Sequence, residues 1–384
     1  MPQLSNRTSI FTDSVIRKMT RVSNQYGAVN LSQGFPDFEP PRAILDRLAQ
    51  VTKEDVHQYS ITWGAQNFRE ALAKKIEHFS GVAVNPNEEL VVTCGSTEAM
   101  MAAMMSVTNP GDKVIVFSPF YENYGADTIL SGAEPIYVPL VPPQFNFDPA
   151  VLEDAFKQKP KAIIVCNPSN PCGKVFTREE LEYIGTLAVK YDTFIITDEV
   201  YEHILYKPNV HTYVSSLPGL KDRTITCNSL SKTYSITGWR LGYAAAPAPI
   251  IAAMTKINQL TMLSAPTPAQ YAGIAALRQG FETDWRDMRG MMEEYDRRRR
   301  VIIDGFNEMG MTCNEPEGAF YVFPSIAVSG LSSEEFCDRL LAEQDVCMVP
   351  GTAFGPSGEG YVRCCYATDI NDIKEALRRT RVFL

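Results

Sequence analysis

The sequence predicts an α/β fold: a large domain built on a mostly parallel sheet flanked by helices, joined to a smaller α+β domain. Three observations predict it. Short β-branched runs recur, "ELVVTCG", "KVIVFSP", "PIYVPL", "KAIIVCN", "TFIITDE" and "RTITCNS", each about five apolar residues long and each closed by a polar or Gly/Pro turn, as buried parallel strands are. Amphipathic stretches separate these runs, as crossover helices do. The chain has 384 residues, 45% of them hydrophobic, enough for two cores at roughly 100 to 200 residues per domain.

In chain order, residues 1–46 form an N-terminal arm and part of the small domain, 47–280 the large domain, and 281–384 the rest of the small domain. The stretch "MPQLSNRTSIFTDSVIRKMT" has no apolar core of the kind a leader needs, and no apolar run approaches the ~20 residues that span a bilayer. "DWRDMRGMMEEYDRRRRVIIDGFNEMG" reads as one long helix. Its four-arginine run is taken as a solvated face, because Glu293 and Arg297, Glu294 and Arg298, and Asp296 and Arg300 stand at i,i+4. "GAFYVFPSI", the helical "SSEEFCDRLLAEQ", "VCMVPG", "GYVRCCYA" and a last helix complete the smaller unit.

The net charge of -9 argues against a nucleic-acid partner held by bulk charge. Nine cysteines without a CxxC pair and four scattered histidines argue against a disulfide framework and a metal site. Buried thiols in a reducing cytoplasm, with no membrane partner, are the expectation.

In open α/β sheets, ligands bind beyond the carboxyl ends of the strands, so the polar residues after each apolar run are the candidates for chemistry. After "ELVVT" come Cys94, Gly95, Ser96, Thr97 and Glu98, then a helical run. Small residues entering a helix leave N–H groups and hydroxyls for an anion, with a plain cap as the competing reading. After "KAIIVC" the stretch from Asn167 to Gly173 holds two Asn-Pro pairs, which demand a rigid turn that can present one asparagine amide to the crevice. After "TFIIT" come Asp198, Glu199 and Tyr201, and an acid at a buried strand end is costly unless it meets a cation or a donor. Such an acid also suits a magnesium-binding strand of a P-loop ATPase, but no GxxxxGK[ST] occurs and no GxGxxG follows a strand.

After "RTITCN" comes "SLSKTYSITGWRLGY". A desolvated lysine near other cationic charge can be unprotonated at neutral pH and act as nucleophile or base, which singles out Lys232. Arg240 and the hydroxyls of Ser229 and Ser231 suit a phosphate dianion. A lysine for an aldehyde, a carboxylate for a pyridine nitrogen, an asparagine and a tyrosine for a phenolic oxygen, and a phosphate cradle together fit pyridoxal 5'-phosphate.

With these residues in place the chain resembles the class I and II aminotransferases, fold type I of the pyridoxal-phosphate enzymes. The resemblance covers nearly the whole length, through "LSQGFPDFEPP", "HQYSITWGAQNFREAL", "VVTCGSTEAM", "NPSNPCGK", "TDEVYEHI", "SLSKTYSITGWRLGY", "GAFYVFP" and "GYVRCCYA" in that order. It implies a seven-stranded sheet in the large domain. It implies that Lys232 bonds the aldehyde carbon, that Asp198 pairs with the pyridine nitrogen, and that Asn170 and Tyr201 hold the phenolic oxygen. Tyr121 would stack on the ring. Gly95, Ser96, Thr97, Ser229 and Arg240 would hold the phosphate, with Tyr59 reaching it across a homodimer interface and Thr267 nearby. Arg363 in "GYVRCC" would grip the substrate α-carboxylate bidentately, in a pocket lined by Gly34 and Asn170, with a backbone N–H near Gly34 donating to the same carboxylate.

The implied reaction is a ping-pong transfer through pyridoxamine phosphate, from an L-amino acid to a 2-oxo acid, with 2-oxoglutarate as the family's acceptor. Lys232 would be both covalent anchor and general acid/base. A β-eliminating carbon-sulfur lyase on the same fold would share Lys232, Asp198 and Arg363. A regulatory module carrying a DNA-binding segment is the rival from another class, and apolar patterning that starts within about a dozen residues of Met1 leaves no room for that segment. No motif marks a second arginine for a side-chain carboxylate, and Phe35, Phe38, Trp63 and Tyr124 are candidates for an apolar substrate pocket.

Overall fold

The computed structural model describes residues 14–384. The first 13 residues, with most of the N-terminal stretch discussed above, lie outside the described residues. The six β-branched runs form strands of one sheet: β1 (Leu90–Cys94), β2 (Lys113–Ser118), β3 (Glu134–Val141), β5 (Ala162–Cys166), β6 (Phe194–Asp198) and β7 (Thr224–Ser229). The two-residue β4 (Asn146–Phe147) and β8 (Leu241–Ala245) complete it, in the order β1-β8-β7-β6-β5-β2-β3-β4. β2, β3, β5, β6 and β7 run parallel, whereas β8 is antiparallel to both of its neighbours and β4 to β3. The expected seven strands are present, and β4 adds an eighth at the edge.

Continuous apolar runs are needed because helices cover both faces of the central strands. Alternation along β2 shows this. Ile115 and Phe117 join one core with Leu181, Ile184 and Leu187 of the helix Arg178–Lys190, while Val114 and Val116 join the other with Met100, Ala103 and Met104 of the helix Ser96–Val107. The first of these helices opens with a capping box, Thr177 with Glu180. Five strand ends, Cys94, Ser118, Cys166, Asp198 and Ser229, thereby come to one edge of the sheet.

The C-terminal segments build a second core. Tyr321–Val322, Val362–Cys365 and Val349–Pro350 form a small antiparallel sheet, packed with the helices Arg286–Glu308, Ser333–Gln344 and Ile370–Phe383. Val29–Asn30 pairs in parallel with Val346–Cys347, which ties the N-terminal chain to this unit. Val200, Tyr201, Ile204 and Tyr206, just beyond β6, are buried in the same core.

The long arginine-bearing helix spans Arg286–Glu308, but its arginines are not all solvated. Arg298 and Arg299 are 5% and 6% exposed. Arg298 joins Glu294 to Asp37 at 2.7 and 2.8 Å, and Arg299 reaches Asp296 and Glu315 while lying 4.4 Å from the Tyr206 ring centre. Asp296 pairs with Arg300 as the spacing predicts, whereas Arg297 takes Glu294 at i,i+3 instead of Glu293. A guanidinium has donors for two carboxylates and an aliphatic stem that tolerates burial, which spacing alone does not reveal. Among the described residues no helix is long and apolar enough to cross a membrane.

Close approach of two backbones sets one residue type outright. A Cβ on Gly242, in β8, would meet the Gly95 carbonyl carbon at 2.2 Å and the Ser96 nitrogen at 2.6 Å. Because the obstacle is backbone, Gly242→Ala is expected to destabilise the protein by about 1–3 kcal/mol, read as a lower urea midpoint. An unchanged midpoint would mean that β1 and β8 can separate freely.

Candidate active site

The converging strand ends enclose a cavity of about 220 Å³. Its lining includes Gly34, Ser96, Thr97, Tyr121, Tyr124, Asn170, Asp198, Tyr201, Ser229, Ser231, Lys232, Arg240 and Arg363, so thirteen of the residues singled out in the sequence meet there. Gly95 is not in the lining but precedes Ser96, with φ +81°, and a Cβ there would come within 2.2 Å of Arg240 Nη2. Only glycine suits both the backbone angle and the packed guanidinium.

Arg240 itself takes a left-handed conformation, φ 55°, and donates to the carbonyls of Thr237 at 3.0 Å and Cys94 at 3.3 Å. It therefore lies beside the N-terminus of the helix Ser96–Val107, whose first N–H groups carry no helical partner. Ser229 Oγ accepts from Ser231 N at 3.3 Å. Together these groups make an anion cradle.

Asp198 is 6% exposed at the end of β6. Burial pushes its carboxyl up, and two donors oppose that shift: Tyr124, whose hydroxyl donates to Oδ2 at 2.7 Å, and Val200 N at 3.3 Å from Oδ1. Tyr124, a candidate for lining the substrate pocket, does line the cavity, and its hydroxyl is turned to Asp198. One turn later, Asp127 is buried with Oδ2 unpartnered, and burial together with the Asp198 charge pushes it up to about 7.

Lys232 donates to the Gly34 carbonyl and lies 5.6 Å from the Phe320 ring centre. Burial, reinforced by the charges of Arg363 and Arg240, brings its ammonium down to about 8. About a tenth is then free amine at pH 7, far more than for an ordinary lysine, as a nucleophile requires.

Arg363 is 1% exposed, between the Tyr321 and Phe354 rings at 4.4 and 4.9 Å. It donates to Asn170 Oδ1 at 3.1 Å and to the Ser32 carbonyl at 2.7 Å, and its Nε has no partner. Among the described residues no carboxylate pairs with it. A buried cation without a counter-charge is costly, so the arrangement suits an anionic ligand. Of the two asparagines in the Asn-Pro turn, Asn167 is used internally, accepting from Phe176 N at 3.0 Å, which leaves Asn170 for the cavity. The Tyr201 and Tyr321 hydroxyls are 2.9 Å apart.

Tyr59 is not in this cavity. It is 79% exposed. Thr267 also stands apart, accepting from Ser60 N at 3.0 Å. Phe35 and Trp63, 47% and 39% exposed, do not line the cavity either, and Phe38 packs edge-on against Tyr295. Sequence reasoning missed Tyr321, Thr237, Glu122 and the segment Ser14, Ile16 and Arg17, which line the cavity as well. Ser14 Oγ and Val15 N both donate to Glu122. No local pattern marks that contact, since its partners lie more than a hundred positions apart.

The chemistry of this set fits pyridoxal 5'-phosphate: an amine of depressed basicity, a buried carboxylate, an anion cradle at a helix N-terminus, and an unpaired arginine for a second anion.

The family described as aminotransferase class I and II matches residues 26–379. An aspartate aminotransferase of Pyrococcus abyssi is 37% identical, covering 98% of this chain and 97% of its own. Aromatic-amino-acid aminotransferase 2 of Thermococcus litoralis is 36% identical with the same coverage. Among solved structures, the aspartate aminotransferase from Thermus thermophilus with maleate superposes with a TM-score of 0.95 at 32% identity, covering 100% of both chains.

The depressed basicity of Lys232 has a direct readout. Below its pKa the lysine is ammonium and inert, and above it a free amine, so competitive acetylation of the cofactor-free protein is expected to label Lys232 with a midpoint near pH 8. A free lysine side chain in a model peptide, labelled alongside, follows the ordinary value of about 10.4. Peptide mass spectrometry across pH 6–11 reads both, and coincident midpoints would refute the shift.

Proposed function

We infer that this chain, which belongs to the class I and II aminotransferases and is itself an aminotransferase moving the amino group of an amino acid to a 2-oxo acid, does its chemistry in the cavity beyond the strand ends. We propose that it works with pyridoxal 5'-phosphate in the cavity described above, takes L-amino acids as donors and 2-oxoglutarate as acceptor, and acts as a cytoplasmic homodimer. The observation that carries the cofactor and substrate reading is the pairing of two arginines that lack carboxylate partners among the described residues, Arg240 and Arg363, with Lys232 and Asp198 in one cavity. Two cations without counter-charges call for two anions, a phosphate and a carboxylate.

When bound, the cofactor supplies an aldehyde for amines and a ring that takes up electrons. Ser96, Thr97, Ser229 and Arg240 hold the phosphate. Asp198, whose burial is opposed by the donors Tyr124 and Val200, would stand opposite the ring nitrogen and favour a proton there, while Asn170 and Tyr201 would orient the phenolic oxygen. Arg363 binds the substrate α-carboxylate, which fixes the α-hydrogen within reach of Lys232. Lys232, as free amine, would take that proton and, once protonated, could give one back, so one residue would serve as base and then as acid.

The homodimer is supported by Tyr59, which stands exposed on this chain and outside its own cavity. Nine free thiols support a reducing compartment. The named relatives are all aminotransferases, and nothing favours the lyase. Relatives of nearly equal identity are named for aspartate and for aromatic amino acids, so the donor is to be read by a panel: mixing the loaded enzyme with single amino acids and following loss of the lysine-bound cofactor's visible absorbance ranks them directly.

Two substitutions test the roles. Lys232→Ala is expected to abolish that absorbance and nearly all turnover, and an active variant would overturn the assignment. Arg363→Lys keeps the charge but loses the planar fork, so KM for the amino acid should rise at least about tenfold with a smaller change in kcat. An unchanged KM would place the carboxylate elsewhere.

A further inference from the structure

Glu202 follows Tyr201 by one residue yet does not line the cavity, and it is 3% exposed. Lys75, from the helix Gln66–Ser80, forms an ion pair with it, both side chains being 2% exposed. The Tyr213 hydroxyl donates to Glu202 Oε2 at 2.6 Å, and the Asn228 amide to Oε1 at 2.7 Å. Asn228 Oδ1 in turn accepts from Ser229 N at 2.7 Å, and Ser229 Oγ from Ser231 N at 3.3 Å. An unbroken chain of hydrogen bonds thus runs from Lys75 through Glu202 and Asn228 to the residue before Lys232.

Burial by itself pushes the Glu202 carboxyl up. Its partners overcome this and hold it well below the usual carboxylate range. His203, 3.4 Å away, is neutral because burial pushes it down to about 3, so the anion is held by Lys75 and by the donors Tyr213 and Asn228. A buried ion pair is a poor device for stability alone, since apolar residues of similar volume often serve as well. An apolar pair would not accept from Asn228, however, and that bond joins two segments that the chain separates by 26 positions.

We propose that Glu202 and Asn228 are positioning residues: the carboxylate, anchored on Lys75, fixes Asn228 and through it the Ser229–Lys232 turn relative to the Asp198–Tyr201 segment. The phosphate cradle and the reactive lysine then share one frame with the ring-binding carboxylate. This rests on the reading of the cavity as the pyridoxal 5'-phosphate site.

Two variants separate positioning from stability. Asn228→Ala cuts the tether and leaves the ion pair. Glu202→Gln removes the charge opposite Lys75 and keeps a carbonyl for Asn228 to donate to. Cofactor is stripped from each protein, affinity for pyridoxal 5'-phosphate is measured by spectral titration, and the melting temperature of the stripped protein is recorded. Asn228→Ala is expected to bind about tenfold or more weakly, the loss of one or two well-placed hydrogen bonds, with the smaller drop in melting temperature. Glu202→Gln should melt lower yet bind within about threefold of wild type; should it not fold, Tyr213→Phe takes its place with the same expectation. Wild-type affinity in Asn228→Ala, or affinity that follows melting temperature across the variants, would overturn the proposal. A wild-type protein that binds no pyridoxal 5'-phosphate would instead overturn the reading of the cavity.

Discussion

Asp198 ends β6 between β5 and β7, registered against Cys166 on one side and Cys227 on the other, and an anion in that position has to be met by donors and cations. Much of the architecture around the cavity answers that requirement. Tyr124 and the Val200 backbone supply the donors. The cations Lys232, Arg240 and Arg363 stand in the same cavity. The same low-polarity surroundings that raise Asp198 lower Lys232, because burial penalises whichever form is charged. One physical cause thus prepares the acid and the amine in opposite senses.

The cavity is shared between the two cores. Asp198, Ser229 and Lys232 come from the edge of the large sheet, whereas Arg363 comes from the small antiparallel sheet and reaches Asn170 and Ser32. Tyr201 joins the two, since it follows β6 in sequence but packs edge-on against Phe320 and Tyr321 in the C-terminal core. A shift of one core against the other would change the position of Arg363 relative to Asp198. The spacing between Arg363 and the Asp198–Lys232 pair is therefore set by how the cores dock as well as by either core alone.

Two backbones in near contact show how little slack the cavity has beside Arg240. Gly95 and Gly242 allow β1, β8 and the Arg240 guanidinium to stack without side chains between them. The buried Lys75–Glu202–Asn228 chain provides similar constraint with polar groups, from the other end of the Ser229–Lys232 turn. Fixed donors of this kind cost little further ordering when an anion arrives.

Most of the site was legible in the sequence because its residues sit at predictable points, the polar positions just after buried apolar runs. The strands could be read from continuous β-branched runs, and the strand ends then named Ser96, Asn170, Asp198, Ser229 and Lys232. Arg363 was legible only through its place in an ordered set of motifs, since nothing in "GYVRCC" says that its guanidinium is buried between two aromatic rings. Tertiary structure alone decided which asparagine faces the cavity, that the Tyr124 hydroxyl is turned to Asp198, that Arg298 and Arg299 are buried, and that Ser14 meets Glu122. The reason is physical: periodicity and turn chemistry act over a few residues, whereas the partner of a buried polar group is chosen by packing between segments that can lie more than a hundred positions apart.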